Sequence, residues 1–306
     1  MTDTGTSKYH LPKGTAAEGP YDLVVTPESA GWGYSGLRIL ALGPGQAHTL
    51  STGDSEFLVL PLTGGCTVAV DGQTFALDGR TDVFASVTDF AYLPRESEAT
   101  ISSATGGRFA LPSARTERSS LSARYGPGAG VPVELRGAGA CSRQVNNYCL
   151  PGTFDAEQLL VCEVLTPGGN WSSYPPHKHD EARPGQESEL EEIYHFEVSG
   201  ENGFGYLGVP PRERSRAWGS VYGTAERPID VLAEIRSGDT VLIPHGWHGP
   251  SIAAPGYDLY YLNVMAGPGQ DRAWLICDDP AHGWVRATWD SQDVDDRLPF
   301  GAEENE

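Results

Sequence analysis

The feature that most constrains this chain is a set of metal-binding residue types spaced along a β-patterned stretch of its second half. His177 and His179 stand two apart, so on a strand both imidazoles leave from one face. Glu191 and Glu192 open the apolar run Ile193-Tyr-His-Phe196, which reads as a neighbouring strand. A third run, Thr240 to Ile243, leads into the turn Pro244-His-Gly-Trp-His248. Two histidines on one strand, a carboxylate on a second and a histidine after a third form a donor set for a divalent cation inside a small β-barrel. Zn, Mn, Fe, Co or Ni would each suit such a set, with coordination positions left for substrate oxygens.

The His-Lys-His step alone is weak, because surface pairs of this kind arise by accident; the later Glu and the Pro-x-Gly-x-His give it weight. Glu191 and Glu192 cannot both face the cation, since successive strand residues point to opposite sides. Glu191 shares a side with His195, Glu192 with Tyr194 and Phe196, and burial alone favours Glu192. His195 reads equally as an acid/base group or as a core histidine. His245, in the turn itself, is expected to be exposed. The charged interval 180–190 is either a solvated loop or a lid that would carry Arg183 or Lys178 to an anionic substrate. Tyr174, Tyr260 and Tyr261 could donate to substrate oxygens, although tyrosine in a β-rich chain more often packs in the core.

The 38 glycines and 23 prolines among 306 residues punctuate short apolar runs and predict an all-β chain with tight corners. Expected strands include 21–25, 37–42, 57–60, 90–93, 108–111, 158–165 and 258–265, with a hairpin turning at Asp71-Gly72. A chain of this length suggests two units. Leu40-Ala-Leu-Gly-Pro-Gly45 matches Val164-Leu-Thr-Pro-Gly-Gly169, and the run at Tyr92-Leu-Pro94 matches Leu242-Ile-Pro244. The glycine-rich stretches 126–132 and 137–139 look like the joint. We therefore expect two domains, residues 1–125 without metal and 126–306 with it. Residues 1–20 are read as a surface arm and the acidic tail from Asp290 to Glu306 as frayed.

A formal charge of −20 disfavours nucleic acid and anionic membranes as partners, while leaving room for a local cationic site and a small anionic substrate. Five cysteines without paired spacing suggest neither a disulfide framework nor a zinc knuckle. With no apolar leader and no membrane-length run, a cytoplasmic protein is expected.

The HxH, Glu and Gly-x5-Pro-x-Gly-x-His elements together resemble the cupin superfamily. The longer runs Gly169-Asn-Trp-Ser-Ser-Tyr-Pro-Pro-His-Lys-His-Asp180, Leu190-Glu-Glu-Ile-Tyr194, Tyr260-Tyr-Leu-Asn-Val-Met-Ala-Gly-Pro268 and Asp279-Pro-Ala-His282 are similar to the 5-deoxy-glucuronate isomerases of myo-inositol catabolism. The resemblance implies a bicupin of two double-stranded β-helix (jelly-roll) barrels that interconverts 5-deoxy-glucuronate and 5-dehydro-2-deoxy-gluconate; a homo-oligomer is a further expectation. It implies a cation held by His177, His179, Glu191 and His248, Glu191 being preferred because Leu190-Glu191 matches the related hexuronate ketol-isomerases. The substrate's carbonyl and adjacent hydroxyl would chelate the cation; Glu192, His195 or a metal-bound hydroxide would move the proton between C2 and C1, and Lys178 or Arg183 would hold the carboxylate. This chain departs from the pattern in a longer gap after His179 and in a single residue between Gly246 and His248. An Fe(II) dioxygenase and a non-catalytic sugar-binding module are the rival readings.

Overall fold

The computed structural model describes residues 5–207 and 221–301. The chain is mostly β, and the α-helices among these residues, Thr6–Tyr9 and Pro27–Ala30, are single turns. None is long and apolar enough to cross a membrane. The expected hairpin forms: Asp71 and Gly72 both adopt positive φ, joining Ser55–Val70 to Gln73–Arg80. The strand expected at 57–60 and the first arm of that hairpin are one sixteen-residue strand, Ser55–Val70, with register shifts at Pro61/Thr63 and Gly64/Cys66. The shifts let one strand serve two sheet faces.

The first half contributes most of a nine-stranded sheet and the second half most of a seven-stranded one. Period-two alternation sorts the side chains. Leu58, Leu60 and Leu62 enter a core shared with Val145, Leu160, Ile193 and Leu262 of the second half. Phe57 and Val59 turn the other way, into a cluster with Leu40, Val68, Ile101 and Phe109 that belongs to the first half alone. A buried ion pair crosses between the halves: the Arg80 guanidinium donates to Glu163, which also accepts from Tyr260 Oη (2.8 Å) and Asn146 Nδ2 (3.1 Å). With its oxygens satisfied in this way the pair is tolerable in an apolar seam.

The first half also lends a short strand to the second: His10–Leu11 pairs with Thr240–Ile243, while Arg124–Gly126, just before the second half, closes the first by pairing with Phe90–Leu93. The amino-terminal segment is thus more than a surface arm: His10 Nε2 and the Lys13 amide both bond Asp239. The acidic tail is corrected likewise. Asp295 accepts from Asn170 Nδ2 (2.8 Å), and the Phe300 amide donates to Gln144 Oε1 (2.7 Å), so the tail as far as Gly301 is fastened along the second half. Residues 302–306 lie outside the described residues. All five cysteines are free, and Cys66, Cys149 and Cys162 are buried.

Candidate metal centre

The strand His177–Lys178 and the turn that carries His248 are joined by a reciprocal backbone pair, His177 N to His248 O (3.1 Å) and His248 N to His177 O (2.8 Å). This sets the imidazole of His248 against that of His177, with ring centroids 4.5 Å apart, and 4.8 Å from that of His179. Ligand-type nitrogens of the three rings lie within 4.8 Å of one another, and all three side chains are buried. The turn depends on Gly246, whose φ is 92° and whose hypothetical Cβ would lie 2.5 Å from Tyr222 O. Asp180 Oδ2 accepts from the Gly246 amide at 3.0 Å and braces the same turn.

Glu192, not Glu191, faces this cluster. Its Oε2 lies 3.1 Å from His179 Nε2 and 3.0 Å from His248 Nε2, while Oε1 accepts from Asn263 Nδ2 at 3.0 Å. Glu191 is turned away into a different duty: its carboxylate accepts the amides of Gly33 (2.6 Å), Tyr34 (2.9 Å) and Ser35 (2.9 Å) of the first half. The preference for Glu191 as a ligand is therefore corrected, and strand alternation gives the reason. Glu192, Tyr194 and Phe196 form one face, and Tyr194 packs against His248 with centroids 6.0 Å apart.

The same alternation removes His195 from the site. Its Nδ1 bonds Thr240 Oγ1 at 2.9 Å, and its Nε2 lies 3.8 Å from Glu197, on the side facing the first half. Lys178 and Arg183 are also corrected as substrate-binding cations. The Lys178 ammonium donates to Asp180 (2.7 Å) and Glu187 (2.8 Å), and the Arg183 guanidinium donates to Glu187. Residues 180–190 form a hairpin, Asp180–Arg183 against Glu187–Glu189, built around the buried Glu187. His245 is half-buried and lies outside the three-histidine cluster.

The electrostatics suit a cation. Burial pushes the Glu192 carboxyl up, but His179 and His248 outweigh it and hold the group at about 2. Burial opposes protonation of His179, yet Glu192 raises its pKa overall. His177 is held well below the ordinary imidazole value, by burial and then by His248 and His179. Nδ1 of His248 faces Gly246 O (3.2 Å) and Nδ1 of His177 faces Pro175 O (3.4 Å), which leaves each Nε2 as the available lone pair. Two donors at roughly 2.1 Å from one cation at a tetrahedral angle sit about 3.4 Å apart, close to the observed nitrogen–oxygen separations. His177, His179, Glu192 and His248 thus fit a divalent metal.

Beside the cluster opens a cavity of about 190 Å³. Tyr194, Tyr261 and Ser173 line it and share hydroxyl contacts: Ser173 Oγ lies 2.9 Å from Tyr261 Oη and 3.3 Å from Tyr194 Oη. Burial raises the pKa of both phenols, so they are protonated donors at neutral pH. Three arginines, Arg136, Arg143 and Arg286, complete the wall. Of these lining groups only Tyr261 had been singled out from sequence. The run from Tyr260 to Pro268 contains Asn263 as well, but nothing local distinguishes the arginines.

Comparison with known proteins agrees with this geometry. A family model described as the KduI/IolB family matches residues 9–285. A 5-deoxy-glucuronate isomerase of Geobacillus thermodenitrificans is 40% identical over 263 residues, covering 85% of this chain and 89% of that protein. The crystal structure of an IolB-like protein from Salmonella typhimurium superposes with a TM-score of 0.79 at 32% identity, covering 90% of this chain and 98% of that one. A structure concerned with the Mn(II) centres of Bacillus subtilis oxalate decarboxylase superposes at 0.54 with 12% identity, covering 83% and 74%, a likeness of cupin-type fold alone.

Proposed function

From the premise that this chain belongs to the KduI/IolB family, we propose that it is a metal-dependent aldose–ketose isomerase converting 5-deoxy-D-glucuronate to 5-dehydro-2-deoxy-D-gluconate. The observation that carries the reading is the convergence of three imidazoles and the Glu192 carboxylate beside a cavity lined by hydroxyl donors and arginines. Each half is taken as one cupin barrel, the second holding a divalent cation through His177, His179, Glu192 and His248. When bound, that cation supplies Lewis-acid polarisation of the substrate's carbonyl and neighbouring hydroxyl.

The protein's own groups then have distinct tasks. Asn263 fixes the free oxygen of Glu192 and so its orientation toward the imidazoles. Tyr194 and Tyr261, protonated and linked through Ser173, donate to the substrate oxygens on which negative charge develops. The apolar packing of Tyr194, Phe196 and Tyr261 keeps bulk water from the reacting carbons.

The test is an NMR assay of purified protein on 5-deoxy-glucuronate with chelator, without it, and after metal is returned, run alongside an oxygen electrode. The isomerase reading expects conversion that the chelator abolishes and no oxygen uptake. Stoichiometric oxygen consumption would replace it with dioxygenase chemistry.

A further inference from the structure

We infer that Arg143 is the residue that recognises the substrate's carboxylate and sets the preference of this site for acidic over neutral sugars. The inference rests on the isomerase reading for the identity of the substrate, but its evidence is separate. Arg143 lies on the strand Arg143–Cys149, on the same side as Val145, and both line the cavity that contains His177. It is 5% exposed. Its sole hydrogen bond among the described residues runs from Nη1 to Cys141 O (3.0 Å), and no carboxylate pairs with it.

Its neighbours sharpen the point. Arg136 stands directly opposite Arg143 in the antiparallel register, an arrangement of like charges that costs stability. Arg136 is bonded twice by Glu134 (2.9 and 2.7 Å), and Arg286 twice by Asp278 (2.5 and 2.7 Å). Among the described residues three guanidiniums thus meet two carboxylates, and the excess charge resides on Arg143. The Trp289 ring, 5.4 Å from Arg143 and 5.2 Å from Arg286, holds both planes without neutralising either. Burial, together with Arg136 and Arg286, lowers the pKa of Arg143 to about 10, which leaves it charged at neutral pH.

A buried charge without a counter-ion is costly, and the cost is removed when an anion arrives. A planar carboxylate matches the guanidinium fork, which an amide or hydroxymethyl group cannot do. The arrangement supplies one local positive site in a chain of net charge −20, so selectivity arises in the pocket and not from the overall field.

The experiment compares metal-loaded wild type and Arg143→Gln on 5-deoxy-glucuronate and its uncharged amide. Calorimetric binding of D-glucuronate and D-glucuronamide is measured in parallel. We expect the wild-type preference for acid over amide to be about 100-fold, to appear mainly in KM, and to fall to within about threefold in the variant. Metal content and near-ultraviolet circular dichroism establish that the variant is folded. If Arg143→Gln does not fold, Arg143→Lys decides, because its ammonium lacks the fork and should lose about tenfold of the preference. An unchanged acid-to-amide ratio in the folded variant overturns the inference. Wild type that shows Arg143-dependent binding of D-glucuronate yet converts no 5-deoxy-glucuronate would instead overturn the isomerase reading and leave this assignment standing.

Discussion

Glu56 and Glu191 occupy equivalent places in the two halves, and each receives three consecutive backbone amides from the other half. Glu56 accepts from Glu157, Gln158 and Leu159 at 2.7, 2.6 and 2.7 Å; Glu191 accepts from Gly33, Tyr34 and Ser35. The repeat that matches Leu40–Gly45 with Val164–Gly169 also matches 33–35 with 157–159, so the clasp is reciprocal. Three charge-assisted bonds to buried or part-buried amides give each carboxylate a structural role strong enough to exclude it from metal binding.

Glu191→Gln should therefore destabilise the protein by about 2–4 kcal/mol, because it replaces an acceptor oxygen with a second donor among part-buried N–H groups. Glu56→Gln should do the same. Urea denaturation measures the loss, and elemental analysis should find the metal content of folded Glu191→Gln unchanged.

The hairpin at 180–189 makes a contrasting prediction. Arg183 is partly exposed and lies in an ion pair with Glu187, so Arg183→Gln should leave kcat/KM within about twofold of wild type. Glu187→Gln should do more, because Glu187 also holds Lys178 and the amides of Asp180 and Glu181, and Asp180 in turn braces the turn at Gly246. Steady-state kinetics on the two variants separates a substrate-binding lid from a brace.

Gly246→Ala places a Cβ against Tyr222 O at a positive φ, a strain of about 1–3 kcal/mol. The turn carrying His248 should shift, and metal affinity should fall by roughly tenfold or more. Competition with a fluorescent chelator reads the change. His245→Ala, in the same turn but outside the cluster, should leave affinity nearly unaltered.

Acid stability supplies a check on the seam between the halves. Burial pushes the Glu197 carboxyl up, but His195 and Arg108 hold it at about 2. A carboxylate depressed in the folded state contributes stability that is complete above its unfolded value near 4.5 and disappears as pH falls toward 2. The stability difference between wild type and Glu197→Gln should be constant above about pH 4.5 and shrink below it. Urea titrations from pH 6 to pH 2.5 measure this, and a difference independent of pH would contradict the assignment.

Much of the site was legible in the sequence because its signals are local. His177 and His179 announce themselves by spacing, and His248 by the turn that precedes it. Strand alternation even placed Glu192 on the more buried side, but it could not supply what Glu191 does, since Gly33 lies 158 residues away. The same limit applies to His195 and Lys178, whose partners Thr240 and Glu187 decide which way they are held. Arg143 carries no local mark at all; the role we infer for it emerges only because Arg136 and Arg286 have carboxylate partners and Arg143 has none among the described residues. The amino-terminal strand at His10 and the fastened tail at Asp295 were hidden for a related reason, since polar segments find their partners in tertiary contact.

The central claim is that Glu192, with three imidazoles, holds the catalytic cation. Elemental analysis of wild type, Glu192→Gln and Glu191→Gln purified identically tests it most directly. The account predicts about one divalent metal per chain in wild type and Glu191→Gln, and a fraction of that in folded Glu192→Gln, with isomerase activity lost in proportion. Full metal occupancy in Glu192→Gln, or its loss in folded Glu191→Gln, would contradict it.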